Sequence, residues 1–80
     1  MPHITIKTLP GKTPQMKAQL ALRLTDIVCE TFQVSVENIS ISVVEVPDSA
    51  WTQEVVLPEL IQRKDCVVKF PEYPYQTSAD

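Results

Sequence analysis

The first 46 residues change twice in the spacing of their apolar side chains, and this change constrains the fold most strongly. Residues 2–9 alternate, with Ile4 and Ile6 between polar neighbours, which predicts a β-strand. Residues 14–32 instead place apolar side chains at steps of three and four, which predicts one long helix. Alternation returns at residues 39–46. A strand, a helix and a strand in this order predict a parallel strand pair joined by a right-handed crossover.

The start of the predicted helix has its own signals. Gly11, the only glycine, lies between two prolines and indicates a turn. Thr13 followed by Pro14 fits an N-cap with proline at the first helical position, where a missing N–H costs nothing. The apolar stripe expected on this helix consists of Met16, Leu20, Leu24, Ile27, Val28 and Thr31.

The rest of the chain predicts a second helix and an arm. A helix is expected over residues 50–65, kinked or split by Pro58 because proline removes a helical hydrogen bond. Residues 66–70 fit a short strand or an extended segment. Tyr73 and Tyr75 are expected to pack this arm onto a neighbouring molecule. The whole of residues 1–80 is interpreted as one α/β (α+β) domain, with disorder over about 76–80.

Composition limits the classes of function. The net charge is −3, which argues against nucleic acid, where a basic surface normally supplies affinity. Apolar runs are too short to span a bilayer. Two cysteines without a signal-peptide pattern predict free thiols in the cytoplasm. The single histidine, His3, argues against a multi-ligand zinc site. Because so short a chain has a thin core, association into a homodimer with a four-stranded sheet is expected.

Pro2 has a structural and a chemical interpretation. Proline is tolerated at the first position of a strand, because no ladder hydrogen bond is lost there. If Met1 is removed, however, Pro2 carries a free secondary amine at the N-terminus. Such an amine can accept a proton, provided that its surroundings keep it uncharged near neutral pH.

Several features together resemble a known family. They are Pro2, a first strand, "PGKTPQMK", a long helix, a strand ending in "VVEV" and an aromatic residue at position 51. In order and spacing the chain resembles the tautomerase superfamily, in particular small enzymes like 4-oxalocrotonate tautomerase. The remaining segment, with its internal proline and Lys/Pro/Tyr-containing tail, is similar to the PptA (YdcE-type) branch.

The resemblance implies a cofactor-independent keto–enol tautomerase acting on a small enol or 2-oxo acid such as an arylpyruvate. Pro2 matches the catalytic amine, and Lys12 lies where the family has a substrate-binding arginine. Ser40 replaces a second arginine, so a dicarboxylate substrate is not expected and a monocarboxylate or neutral enol is. Trp51 lies where the family has an aromatic side chain that excludes water from the amine. The implied partners are a small-molecule substrate and a second copy, without metal, nucleic acid or membrane.

The sequence also permits other functions. The same amine could act as a general acid, as in superfamily dehalogenases and hydratases, or the chain could be a non-catalytic dimeric binding or scaffold domain. Individual residues also have plainer interpretations. These are a solvated turn lysine for Lys12, an outward strand position for Ser40, core or dimer packing for Trp51, and an outward strand carboxylate for Glu45.

Overall fold

The computed structural model describes residues 1–76 and divides the chain into two compact units. The first unit, Met1–Glu45, contains strand β1 (His3–Thr8), helix α1 (Pro14–Phe32) and strand β2 (Ser40–Glu45). The second unit begins at Val46 and contains a π-helix (Thr52–Ile61). Single 3-10 turns lie at Val36–Asn38, Asp48–Ala50 and Lys64–Cys66. Apart from residue 76, the predicted disorder over 76–80 concerns residues outside the described range.

The two strands form a parallel sheet, which confirms the predicted strand–helix–strand unit. Their register runs from His3 opposite Ser40 to Thr8 opposite Glu45. Because side chains alternate between faces, each strand has one apolar and one polar face. The apolar face carries half-buried isoleucine and valine side chains and faces α1. Its members are Ile4, Ile6, Ile41 and Val43.

Helix α1 begins and ends at the predicted residues. The Thr13 hydroxyl accepts a hydrogen bond from the Met16 N–H at 3.1 Å, and Pro14 occupies the first turn. At the other end Gln33 adopts a left-handed conformation, with φ 56° and ψ 53°. Its N–H donates to the Cys29 carbonyl, so a non-glycine residue closes the helix.

The apolar stripe of α1 is only partly covered within one chain. Leu24 and Val28 are half-buried, whereas Met16 is 54% exposed and Ile27 is 58% exposed. No residue of α1 is buried. The helix therefore leaves apolar surface open, as expected for a chain that associates with another molecule.

The second unit differs from the sequence-based prediction in helix type. The segment around Pro58 is a π-helix, not a kinked or split α-helix, and the Gln62 N–H donates to the Leu57 carbonyl, five residues back, at 2.9 Å. Proline lacks an N–H and its ring clashes with the carbonyl four residues earlier in an α-helix, which disfavours the ordinary pattern here. Val55 and Val56 of this helix are buried. Residues 67–76 form neither helix nor strand, so the short strand is absent.

Both cysteines are free thiols, as predicted. Cys29 is half-buried in α1 and Cys66 is exposed. Within residues 1–76, no helix has both the length and the apolar character needed to cross a bilayer.

Candidate functional site

A cavity of about 290 Å³ lies in the first unit, between the apolar face of the sheet and the N-terminal half of α1. Side chains from both strands, from the turn after β1 and from α1 surround it. The lining residues are Ile6, Thr8, Lys12, Met16, Lys17, Leu20 and Val43. A mainly apolar lining with two lysines suits a small amphipathic anion.

The two lysines of the cavity differ in their partners. The Lys17 ammonium forms an ion pair with the Glu45 carboxylate, with Nζ and Oε1 3.2 Å apart. For the Lys12 ammonium, by contrast, the described part of the chain offers no hydrogen-bond or ion-pair partner. One uncommitted positive charge therefore remains at the cavity. The structure thus brings the predicted substrate-binding residue Lys12 to an apolar pocket.

Glu45 ties the turn that carries Lys12 to the end of β2. Its Oε2 accepts hydrogen bonds from the backbone N–H of Gly11 at 2.8 Å and of Lys12 at 3.4 Å. The Gly11 hydrogen bond, then the Lys17 side chain, lowers the pKa of the Glu45 carboxyl from its ordinary value of 4.5. From the sequence alone, Glu45 is expected as an outward strand carboxylate. Its partners lie about 30 residues away in sequence, so only the strand register reveals the contact.

Pro2 lies at the opposite end of β1 from the cavity. It is half-buried, and its carbonyl accepts a hydrogen bond from the Ser40 N–H at 3.2 Å. Thr8 lies six residues after Pro2 along the strand, a distance of about 20 Å at the usual rise per residue. Within one chain, therefore, the structure does not bring Pro2 and Lys12 together.

Ser40 lies on the polar face of the sheet, away from the cavity. Its hydroxyl is 2.7 Å from His3 Nδ1, and His3 Nε2 is 3.1 Å from the Thr5 hydroxyl. The Ser42 hydroxyl continues this row, 3.4 Å from that of Thr5. A contact between Ser40 and a substrate stays a prediction. Within its own chain, the Ser40 hydroxyl contacts His3.

Trp51 belongs to the second unit, where the arm holds its ring. The indole N–H donates to the Tyr73 hydroxyl at 3.0 Å. The Tyr73 and Tyr75 rings meet edge to face, with centroids 6.0 Å apart. Tyr73 thus contacts its own chain, in addition to any contact that the arm makes with a neighbour. The indole N–H is the only hydrogen-bond donor of the Trp51 side chain, and this contact uses it. Trp51 can therefore offer a substrate only the apolar surface of its ring.

Candidate metal ligands do not cluster in the part of the chain that the structure describes. In residues 1–76 no group of three or more histidine, cysteine, aspartate or glutamate side chains could hold a metal ion.

Comparison with known proteins gives a consistent result. The family model described as "Tautomerase enzyme" matches residues 2–61. A probable tautomerase of Xylella fastidiosa is 30% identical over 73 residues, which cover 91% of this chain and 89% of that protein. The tautomerase PptA of Escherichia coli is 32% identical over 74 residues, covering 91% and 97% of the two chains.

A solved structure is also similar. The crystal structure of YwhB, a homologue of 4-oxalocrotonate tautomerase, matches with a TM-score of 0.56 and 35% identity. The match covers 57% of this chain and 75% of that chain. These matches confirm the predicted resemblance, including the PptA-like branch, and the predicted fold class. They favour an isomerase over the scaffold alternative.

Proposed function

The chain belongs to the tautomerase family, and from that premise we propose that it is a cofactor-independent keto–enol tautomerase whose general base is the Pro2 amine. The observation that carries this proposal is the extent of the family match. It begins at Pro2 and runs to residue 61, so it includes Pro2, Lys12, Ser40 and Trp51.

The chemistry requires removal of Met1, because only then is the nitrogen of Pro2 a secondary amine. An α-amino group has a pKa of about 8 in water. Partial burial and a neighbouring cation both disfavour the ammonium form and lower this value. Pro2 is half-buried, and its carbonyl is fixed in the sheet by Ser40. The amine would therefore be available as a base near neutral pH.

The proposed reaction is a proton transfer without change of oxidation state. The amine removes the proton from the carbon next to the carbonyl, and the electron pair of that C–H bond forms the C=C bond of an enolate. The protonated amine then returns this proton to the enolate oxygen, which yields the enol and restores the free amine. The reverse path yields the ketone. Fixed donors that stabilise the enolate oxygen contribute up to a few kcal/mol each. In a 2-oxo acid the enolate oxygen and the carboxylate lie on adjacent carbons, so the Lys12 ammonium, with its three N–H donors, would contact both.

The cavity supports a substrate with one anionic group and an apolar body. Lys12 would hold a single carboxylate, without the bidentate grip that an arginine provides. Ile6, Val43 and Leu20 would contact an aryl or alkyl group. A small enol or 2-oxo acid such as an arylpyruvate fits this description. Trp51 is proposed as an apolar wall, with its indole orientation fixed by Tyr73.

A homodimer would complete the site. Because about 20 Å of strand separates Pro2 from Thr8, one chain does not supply both the base and the cation. If the sheets of two copies join with antiparallel strands, the start of β1 in one copy lies beside the end of β1 in the other. Pro2 would then act with Lys12 of the partner subunit. The free thiols of Cys29 and Cys66 support a reducing compartment, so the cytoplasm is the proposed location.

The replacement Pro2→Ala tests the proposal. It replaces the ring-constrained secondary amine by the primary amine of alanine, and it is expected to slow ketonisation of an arylpyruvate enol by about 100-fold, the lower end of the range for a positioned general base. Absorbance of the enol follows the rate, and intact-mass spectrometry establishes that Met1 is absent from both proteins. The control Glu37→Gln changes an exposed residue outside the cavity and should keep the wild-type rate. Equal rates for wild type and Pro2→Ala would reject the secondary amine of Pro2 as the required base.

A further inference from the structure

Few contacts fix the conformation of the turn of residues 9–13. Leu9, Gly11 and Lys12 are exposed, and a Cβ atom built on Gly11 would meet no other atom within 4 Å. Strand β1 fixes one end of the turn, and the Thr13 cap fixes the other. Between them, the Glu45 carboxylate is the group that accepts the N–H donors of Gly11 and Lys12.

The geometry of this contact suits a carboxylate. Gly11 has φ 111°, and both successive N–H groups of the turn reach the single oxygen Oε2. Hydrogen bonds from N–H donors to a charged acceptor are stronger than those to a neutral one. The pairing of Thr8 with Glu45 puts this oxygen directly beside the chain that leaves β1.

The same carboxylate also determines which lysine meets a ligand. Its other oxygen, Oε1, pairs with the Lys17 ammonium at 3.2 Å. Lys17 is therefore neutralised at the cavity, whereas Lys12 is fixed only through its backbone and keeps its charge available. Glu45 thus holds the backbone of Lys12 by a hydrogen bond and neutralises the Lys17 ammonium by an ion pair.

We propose that Glu45 is a positioning residue, which orders the turn of residues 9–13 so that the Lys12 ammonium meets the single anionic group of the substrate. This inference depends on the proposed function for the role of Lys12 as the anion-binding group. Glu45 itself contacts no substrate and exchanges no proton with it.

The contact can be observed without any activity. Gly11 is the only glycine, so its amide signal is readily assigned in a nitrogen–proton spectrum. Because the native contacts lower the pKa of Glu45, the tie is present at neutral pH and is lost as acid protonates the carboxylate below 4.5. The Gly11 amide should shift through that range in the wild type, but not in Glu45→Gln. If the Gly11 amide keeps the same chemical shift and the same pH dependence in Glu45→Gln as in the wild type, the proposal is wrong.

The functional test uses 3-phenylpropanoate, a stable aryl monocarboxylate, as the probe, with binding measured by spectral titration. Glu45→Gln also releases the Lys17 ammonium, so its effect is measured in the Lys17→Ala background. There it is expected to weaken binding by about three- to tenfold, because the turn loses its charged hydrogen-bond acceptor. Lys12→Ala should weaken it as well. When Lys12→Ala is added to that background, the Glu45 change should add less than about twofold, because residues that act through one another are not additive.

Several outcomes would contradict a positioning role. They are an affinity that Glu45→Gln leaves unchanged in the Lys17→Ala background, a Glu45 effect that persists fully when Lys12→Ala is added, or a wild-type protein that does not bind the probe. Glu37→Gln removes the same charge at an exposed site outside the cavity and controls for net charge. Should Glu45→Gln fail to fold, Glu45→Asp keeps the charge but shortens the reach, and it should weaken binding likewise. Equal tautomerase rates for wild type and Pro2→Ala would reject the proposed function separately.

Discussion

At the scale of single residues, the site depends on backbone groups as much as on side chains. Lys12 is held through its own N–H, and Pro2 through its carbonyl. Gly11 is needed for its conformation, because φ 111° lies in a region that residues with a Cβ rarely adopt. These requirements explain why the sequence indicated a turn at Gly11 but not its attachment to Glu45.

Gly11→Ala should therefore destabilise the protein by about 1 kcal/mol or more. The cost comes from the backbone, since an added Cβ would meet no atom within 4 Å. Urea denaturation followed by circular dichroism measures it. Ser35→Ala, at an exposed residue with an ordinary φ of −80°, is the control and should change stability by less than about 0.5 kcal/mol. Equal stability of Gly11→Ala and wild type would mean that the turn adopts another conformation.

At the scale of elements, the sequence predicted the first unit well and the second less well. Helix α1 has strong local signals, a Thr-Pro start and a long apolar stripe, and its bounds match the structure. The π-helix has no such signal, because apolar spacing does not distinguish hydrogen bonds that span four residues from those that span five. Pro58 showed where the helix is irregular, but not in which way. The sequence did not predict the cavity beside Glu45, since this cavity depends on contacts across the sheet.

The C-terminal end of α1 offers a test of these local signals. Gln33 adopts a left-handed conformation that is unfavourable for a residue with a Cβ. Gln33→Gly should stabilise the helix end by about 0.5–1 kcal/mol, net of the entropy that glycine loses on folding. Urea denaturation measures the change. Gln33→Ala keeps the Cβ and should give no such gain, so a similar gain in both variants would assign the effect to the glutamine side chain instead.

At the scale of the whole molecule, the cavity, the exposed part of α1 and the position of Pro2 all favour association with a second copy. The dimer expected from the thin core of so short a chain stays a prediction, and a hexamer is the other assembly to test. Light scattering distinguishes the two, and a hexamer would contradict the prediction.

Mixing two inactive variants tests whether the site is shared. In a dimer of Pro2→Ala with Lys12→Ala, one of the two sites would contain both native residues. Equal amounts that exchange subunits should therefore recover about one quarter of wild-type activity, since half of the dimers are mixed. Refolding the mixture from urea allows the exchange, and each variant treated alone is the control. A mixture that recovers no activity would place Pro2 and Lys12 in the same site of one chain.

The hydrogen bond between the Trp51 indole and Tyr73 gives the chain an optical label of its own. Trp51 is the only tryptophan, and it lies in the second unit, whereas the only glycine lies in the first. Intrinsic fluorescence therefore monitors the arm and the π-helix, while the glycine resonance monitors the turn at the cavity. Recorded along one denaturation series, these two native signals distinguish a single cooperative melting event from a stepwise one, with no dye attached.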